Sequence, residues 1–406
     1  MKCLFKKFIF IIVFLSGSFL VKASQQTCDS LTISLVTCEK GNEIYSLFGH
    51  TALRIKSSCS DIVYNYGTFD FNEPNFLLKF LKGDLSYSLS ESSYNNFILS
   101  YLFEKRGVRE QILNLTQQEA RAIEREVKNT LVTRQKRYYK YDFTRNNCST
   151  KIRDLIVSNL REIDVSIDTS IRISTSRDAL HSYLESGHKY WEILGLDILL
   201  GYNVDNKMNF NDEMFLPEFV SRDLNSILIN DRFSLINSTR QNVPYYSTIG
   251  SKYLRPIYAF SIFSIFLIFL FCSKRNFSKK IFNILTNSIT FTSGLLGWII
   301  LILILFSSHQ QFKNNINLLW AWPLNIFLPF FNKRTFISSL LITISAILIV
   351  CYFILTIFGV QQINPTFILI VFCLCLYYIS NSSEILKSFE KYKLLKGRVK
   401  NQNLKK

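Results

Sequence analysis

Residues 139–150 read YKYDFTRNNCST and run directly into KIRDLIVSNL, residues 151–160. Ile152, Leu155 and Ile156 recur at helical spacing, and asparagines of the kind that precede Cys148 cap helix N-termini. The stretch therefore predicts a helix starting around Cys148, with the thiol in its first turn. Unpaired amides and the helix dipole at that position stabilise a thiolate and lower its pKa. Cys148 is thus a candidate nucleophile, with burial and disulfide pairing as the competing roles.

Working outward, LTISLVT (Leu31–Thr37) reads as a strand, and HTALRIK followed by DIVYNYGTFDF reads as two more, joined in a hairpin by a short polar turn. Downstream, Thr116 and Glu119 form a capping box, and Ala120, Ile123, Val127 and Leu131 follow at helical spacing. Strands and helices mix, so residues 24–250 are expected to form an α+β domain.

Three histidines fall in this region: His50, His181 and His188. His50 stands after Gly49 at a strand start, where a hairpin partner can fix it against the start of a distant helix, as a general base for a thiol requires. Roles in such sites are set by geometry, so a His-first order can build by permutation what papain-like enzymes build Cys-first. The residue orienting the imidazole is expected on the next strand, at Tyr66, Thr68 or Asp70. Asn146, Asn147 and the Cys148 amide are the expected oxyanion donors. Zinc-ligand spacings such as CxxC and HExxH are absent, so neither metal nor cofactor is expected.

The chain has 406 residues, 48% of them hydrophobic, with 36 Phe. That exceeds the needs of an ordinary soluble domain and points to the membrane. Residues 1–23 read as a signal peptide, with basic Lys2, Lys6 and Lys7, an apolar run and a small-residue cleavage site; an uncleaved anchor is the rival reading. Residues 253–382 hold five candidate spans: Pro256 to Cys272, Ser288 to Phe306, Leu318 to Phe331, Phe336 to Phe358 and Phe367 to Ile379. Pro323 and Pro329 mark the third as a broken or re-entrant helix.

Basic joints stay on the cytoplasmic side. The charge of residues 273–280, Lys333 and Arg334, the tail 383–406 and the N-terminal lysines together makes up nearly all of the net +17. That excess is membrane-topology charge, so nucleic acid is not implied as a partner. The same rule places residues 24–250 outside the cytoplasmic membrane and the tail 383–406 in the cytoplasm.

Cys28, Cys38, Cys59 and Cys148 share the oxidising compartment, where sequence alone leaves three connectivities open. With Cys148 free, Cys28 with Cys59 is the expected bridge. At the outer interface SSHQQFKNNINLLWAWPLN gathers His309, Asn314, Asn315, Asn317, Trp320 and Trp322. Aromatic belts account for the tryptophans, while a histidine and asparagines at that depth are candidates to face a lipid headgroup or substrate.

Taken together, SLVTCEKGNEIYSLFGHTALRI, VYNYGTFDF, YDFTRNNCSTKIRD, EMFLPEFV and HQQFKNNINLLWAWP resemble the Lnb-type bacterial lipoprotein N-acyltransferase family. The resemblance covers most of residues 30–382. It implies a permuted papain-like (NlpC/P60-like) periplasmic domain followed by an all-α domain of about five transmembrane helices. It also implies that Cys148, from NNCST, and His50, from GHTALR, form the site. The implied reaction moves an acyl chain from a phospholipid, through a Cys148 thioester, to the N-terminal amine of a diacylated lipoprotein at the inner membrane. The alternatives are a membrane-anchored cysteine peptidase or amidase acting on peptidoglycan or peptide, and a non-enzymatic membrane protein in which Cys148 is paired.

Overall fold

A computed structural model describes residues 30–43, 46–70, 72–160, 164–165, 175–229, 233–246, 253–331 and 335–381. The expected signal peptide, Cys28, Lys333, Arg334 and the basic tail lie outside these residues.

Seven antiparallel strands form the central sheet: β1 (Thr32–Cys38), β2 (His50–Lys56), β3 (Asp61–Thr68), β4 (Ser86–Ser93), β5 (Val108–Leu113), β6 (Tyr138–Lys140) and β10 (Ile236–Val243). Their order is β10-β5-β1-β2-β3-β4-β6. A small sheet pairs β7 (Asp164–Val165), β8 (Ile227–Ile229) and β9 (Phe233–Ser234). The expected hairpin is β2 with β3, in the register Leu53↔Tyr64 and Ile55↔Ile62.

The longer helices in the N-terminal domain are α1 (Phe76–Lys82), α2 (Tyr94–Phe103), α3 (Gln117–Val132), α4 (Cys148–Val157), α5 (Ser176–Glu185), α6 (Tyr190–Leu199) and α7 (Pro217–Leu224). Strand alternation divides the sheet's side chains between two cores. On one face Ile33, Leu35, Leu53, Ile55, Tyr64, Tyr66 and Leu89 pack against Ile123 and Val127 of α3, Ile152, Leu155 and Ile156 of α4, and Val220 and Leu224 of α7. On the other, Val36, Cys38, Ala52, Val63 and Val108 meet Phe97 and Tyr101 of α2. Each fully buried Leu or Ile contributes roughly 1.5–3 kcal/mol, so β1 and β2, covered on both faces, form the rigid middle of the domain.

The C-terminal domain contains α8 (Pro256–Cys272), α9 (Asn276–Phe306), α10 (Phe336–Ile357) and α11 (Thr366–Asn381). Among the described residues, α9 and α10 are long and apolar enough to cross a membrane, and α8 and α11 are shorter apolar helices. The segment expected as a third span is not a continuous helix. It is a four-residue turn of helix at Asn317–Trp320, then a 3-10 turn at Pro323–Phe327. The break is packed tightly: a Cβ at Gly297 of α9 would fall 1.7 Å from the Ala321 carbonyl oxygen, and one at Gly294 2.1 Å from the Ile326 nitrogen. Asn325 supplies the polar partners an interrupted helix needs in an apolar setting. Its Nδ2 donates to Ser293 Oγ and the Trp320 carbonyl, and its Oδ1 accepts from Ser345 Oγ and the Tyr378 hydroxyl.

The two domains share a junction that the sequence reading did not anticipate. Helix α6 belongs to the N-terminal domain, yet Leu194 lies in one core with Ile300, Trp320, Tyr352 and Phe367. Its last carbonyls are capped by the outer joint. Asn315 Nδ2 donates to the Ile198 and Leu199 carbonyls, and Asn317 Nδ2 to the Asp197 carbonyl at 2.7 Å. The side chain of Asp197 is buried between Arg177, His181 and Asn364.

Candidate active site

Cys148 is the first residue of α4, and its neighbours hold it there. Asn147 Oδ1 accepts from the Thr150 amide at 2.9 Å, while Thr150 Oγ1 accepts from the Asn147 amide at 2.8 Å, a reciprocal cap on the helix. Asp142 Oδ1 gathers the Thr144 and Arg145 amides, folding the loop that delivers the thiol. That loop is held from the membrane side as well: Gln311 Nε2, in the outer joint, donates to Asp142 Oδ1 and Thr144 Oγ1.

His50 opens β2, opposite Cys38 in the ladder. Gly49 before it has φ +72°, and a Cβ there would lie 2.5 Å from the Cys38 carbonyl oxygen, so only glycine turns the chain at this point. Thr51 Oγ1 and Ser149 Oγ are 2.8 Å apart and buried, clamping the start of β2 to the first turn of α4. The clamp brings the Cys148 thiol into hydrogen-bond contact with His50, the Thr51 amide and Ser149.

Burial alone pushes the Cys148 thiol up. The charge of His50, its hydrogen bond, the Thr51 amide and Ser149 outweigh that push, and the thiol ends below its ordinary value. Cys38 shows the contrasting case: burial dominates and lifts its thiol to about 12, making it an inert core residue. Both thiols are free, whereas Cys59 is disulfide-bonded. The alternative with Cys148 paired is thereby overturned. Cys28, the expected partner of Cys59, lies outside the described residues.

The side chain against the imidazole is none of the three expected from sequence. His50 Nε2 is 3.2 Å from Asn65 Oδ1. Continuing the register Leu53↔Tyr64 by one residue sets Asn65 opposite Ala52, on the same face as His50. Tyr66 points to the other face, buried with its ring 6.4 Å from that of Tyr139 and its hydroxyl bonded to Thr130. Asp70 is exposed and accepts from the Asn72 amide in a turn, and Thr68 is exposed and bonded to Ser90. Strand parity was the signal that singles out Asn65.

The asparagine side chains are not oxyanion donors either. Asn147 Nδ2 donates to the Phe143 and Phe215 carbonyls, and Asn146 Nδ2 to the Lys140 carbonyl. An uncommitted donor comes instead from Tyr139, whose buried hydroxyl oxygen takes the Gly67 amide as a donor while its own O–H has no acceptor. Burial first and the neighbouring thiol second hold Tyr139 protonated. Gly67, with φ +89°, leaves the space between them open: a Cβ there would lie 3.6 Å from Cys148 Cβ and 4.0 Å from the Tyr139 oxygen.

Of the outer-joint residues expected to face lipid or substrate, Asn315, Asn317 and Trp320 are buried. The two asparagines cap α6 as described, and Trp320 Nε1 donates to Asn317 Oδ1. These three are structural. His309 is partly exposed and contacts the Phe80 carbonyl of α1 with Nε2 at 3.2 Å. His181 is engaged with Asp197, which leaves His50 as the histidine at the thiol. Among the described residues no cluster of metal-ligating side chains occurs.

A sheet domain presenting a free, low-pKa thiol beside an imidazole and fastened to apolar membrane helices defines a membrane-anchored protein with a thiol site. Residues 22–181 match the family model described as the Lnb N-terminal periplasmic domain, and residues 248–388 match the Lnb transmembrane domain. The chain belongs to the Lnb family, a family of lipoprotein N-acyltransferase-like membrane proteins, and is an inner-membrane protein with a periplasmic N-terminal domain. No curated protein and no solved structure matches it.

Proposed function

We propose that the protein is a lipoprotein N-acyltransferase in which Cys148 carries the acyl group and His50 moves the protons. The observation that carries this reading is the contact of His50 with a free thiol whose pKa is lowered despite burial, at the start of a helix. The periplasmic domain is read as a permuted papain-like, NlpC/P60-like fold. Five spans, with the basic joints and tail on the cytoplasmic side, hold it against the lipids on which it acts.

In the first half-reaction the thiol proton passes to His50 Nδ1 and Sγ attacks the ester carbonyl of a phospholipid. The resulting oxyanion receives the Cys148 amide and the Tyr139 hydroxyl. Collapse breaks the ester C–O bond, the leaving alkoxide takes the proton from His50, and a thioester remains on Sγ. In the second half-reaction the neutral α-amine of a diacylated lipoprotein attacks the thioester carbonyl. Its proton goes to His50, the C–S bond breaks, and the protonated imidazole is left beside a thiolate. Asn65 keeps Nε2 occupied throughout, so that Nδ1 always faces the thiol.

Mass spectrometry of lipoprotein N-termini from cells whose chromosomal copy carries Cys148→Ala tests the proposal. Loss of the N-acyl group is expected. Its persistence at parental levels rejects the reading. Release of peptide by the purified protein, with no acyl group found on Cys148, would favour the peptidase alternative.

A further inference from the structure

The short helix α1 has no role in the site described above, yet its position is distinctive. It packs on α9, and Lys82, its last residue, accepts from the Ser308 amide at 2.8 Å just beyond the outer end of that span. Leu78 and Phe80 are 53% and 41% exposed, beside Leu305 and Phe306 at 62% and 65% on the end of α9. Lys82 and Lys79, the latter paired with Glu73 at 2.7 Å, fall in the same last turn of α1. Apolar side chains and cations on a helix held at the end of a span are what an interfacial segment requires.

An unbroken chain of rings connects α1 to the thiol. Phe80 stacks on Phe76 at 6.3 Å, Phe76 on Phe69 at 5.6 Å, Phe69 meets Tyr87 edge-on at 5.2 Å, and Tyr87 stacks on Tyr141 at 4.4 Å. Tyr141 and Cys148 then flank the space above Gly67, 3.7 Å and 3.6 Å from the point where a Cβ would lie. Phe69, Phe76 and Tyr141 are partly exposed and the buried ring of Tyr87 links Phe69 to Tyr141, so the row presents apolar surface on either side of a packed ring.

We infer that α1 and the aromatic row from Phe80 to Tyr141 form the binding surface for the acyl chain of the phospholipid donor, guiding it from the outer leaflet to Cys148. The inference rests on the thioester reading and deepens it. The donor is the occupant because its chain stays attached to Sγ after the first half-reaction. The acceptor's own chains cannot use the row while it is filled.

Two measurements on the full-length protein in vesicles of phosphatidylethanolamine and phosphatidylglycerol test this. In the first, the vesicles contain a phospholipid with a diazirine near the end of one acyl chain, and Cys148→Ala prevents turnover. Photolabel on peptides covering residues 69–87 is expected, and label confined to the spans overturns the inference.

In the second, Phe80→Glu is expected to slow thioester formation from a long-chain phospholipid at least tenfold, with Phe80→Leu near the parental rate. Both variants should leave the alkylation of Cys148 and its acetylation by p-nitrophenyl acetate unchanged. An undiminished long-chain rate in Phe80→Glu overturns the inference while leaving the acyltransferase reading intact. A parental protein that never acquires an acyl group defeats the thioester reading, and with it the assignment of the row to the donor.

Discussion

At Cys148 two opposing effects meet, and their balance makes a sharp prediction. Burial raises the thiol, while the His50 charge and hydrogen bond lead the influences that lower it. A lowered thiol is deprotonated at lower pH, so the rate of iodoacetamide alkylation should rise with pH through a midpoint below 9.0, the ordinary value. In His50→Ala the lowering partner is gone and burial remains, so the midpoint should move upward past that value; an unmoved profile would separate the two residues. Asn65→Ala should keep the thiol reactive but free the ring to turn, reducing acyl transfer about tenfold, a loss typical of second-rank positioning contacts. Tyr139→Phe removes one hydroxyl and should lower the rate of thioester formation on the order of 10²-fold while leaving the alkylation midpoint in place. An unchanged rate would remove Tyr139 from the oxyanion site.

The helix that starts at Cys148 is where local signals served the sequence best. Its cap, its apolar spacing and its first residue are short-range properties, and all three stand in the structure. The hairpin and the Thr116 capping box were legible for the same reason. The orienting residue was not, because it depends on strand register: Asn65 and Tyr66 are adjacent in sequence but face opposite sides of the sheet. The asparagines of the outer joint were misread because a sequence displays polarity without partners, and their partners are the carbonyl ends of α6. The cap itself can be weighed. Asn147→Ala removes the acceptor for the Thr150 amide and the donors to two carbonyls, one of those bonds fully buried. A lost cap costs about 1 kcal/mol and each stranded buried group about 1–3 kcal/mol. Thermal denaturation in detergent should therefore show a loss of about 3 kcal/mol, with Asn147→Asp, which keeps the cap, losing less.

For the molecule as a whole, the junction decides whether the periplasmic domain is merely anchored or forms one body with the spans. Leu194 shares its core with residues of α9, α10 and α11, Asn315 and Asn317 cap α6, and Gln311 ties the outer joint to the loop before Cys148. A flexible anchor needs none of these contacts, whereas an enzyme taking both substrates from a bilayer gains from a fixed distance between thiol and membrane. The two domains are therefore expected to unfold in a single transition. Asn317→Ala tests this, because it uncaps α6 far along the chain from Cys148 and strands the buried Asp197 carbonyl and the Trp320 indole N–H. At about 1–3 kcal/mol for each group left unpaired, the melting temperature should fall by several degrees. The helicity of the spans and the protection of the buried Cys38 thiol from alkylation should be lost together at the new midpoint. If Cys38 instead became reactive well before the spans lost helicity, the domains would be unfolding separately, and the junction would be a tether rather than part of the catalytic frame.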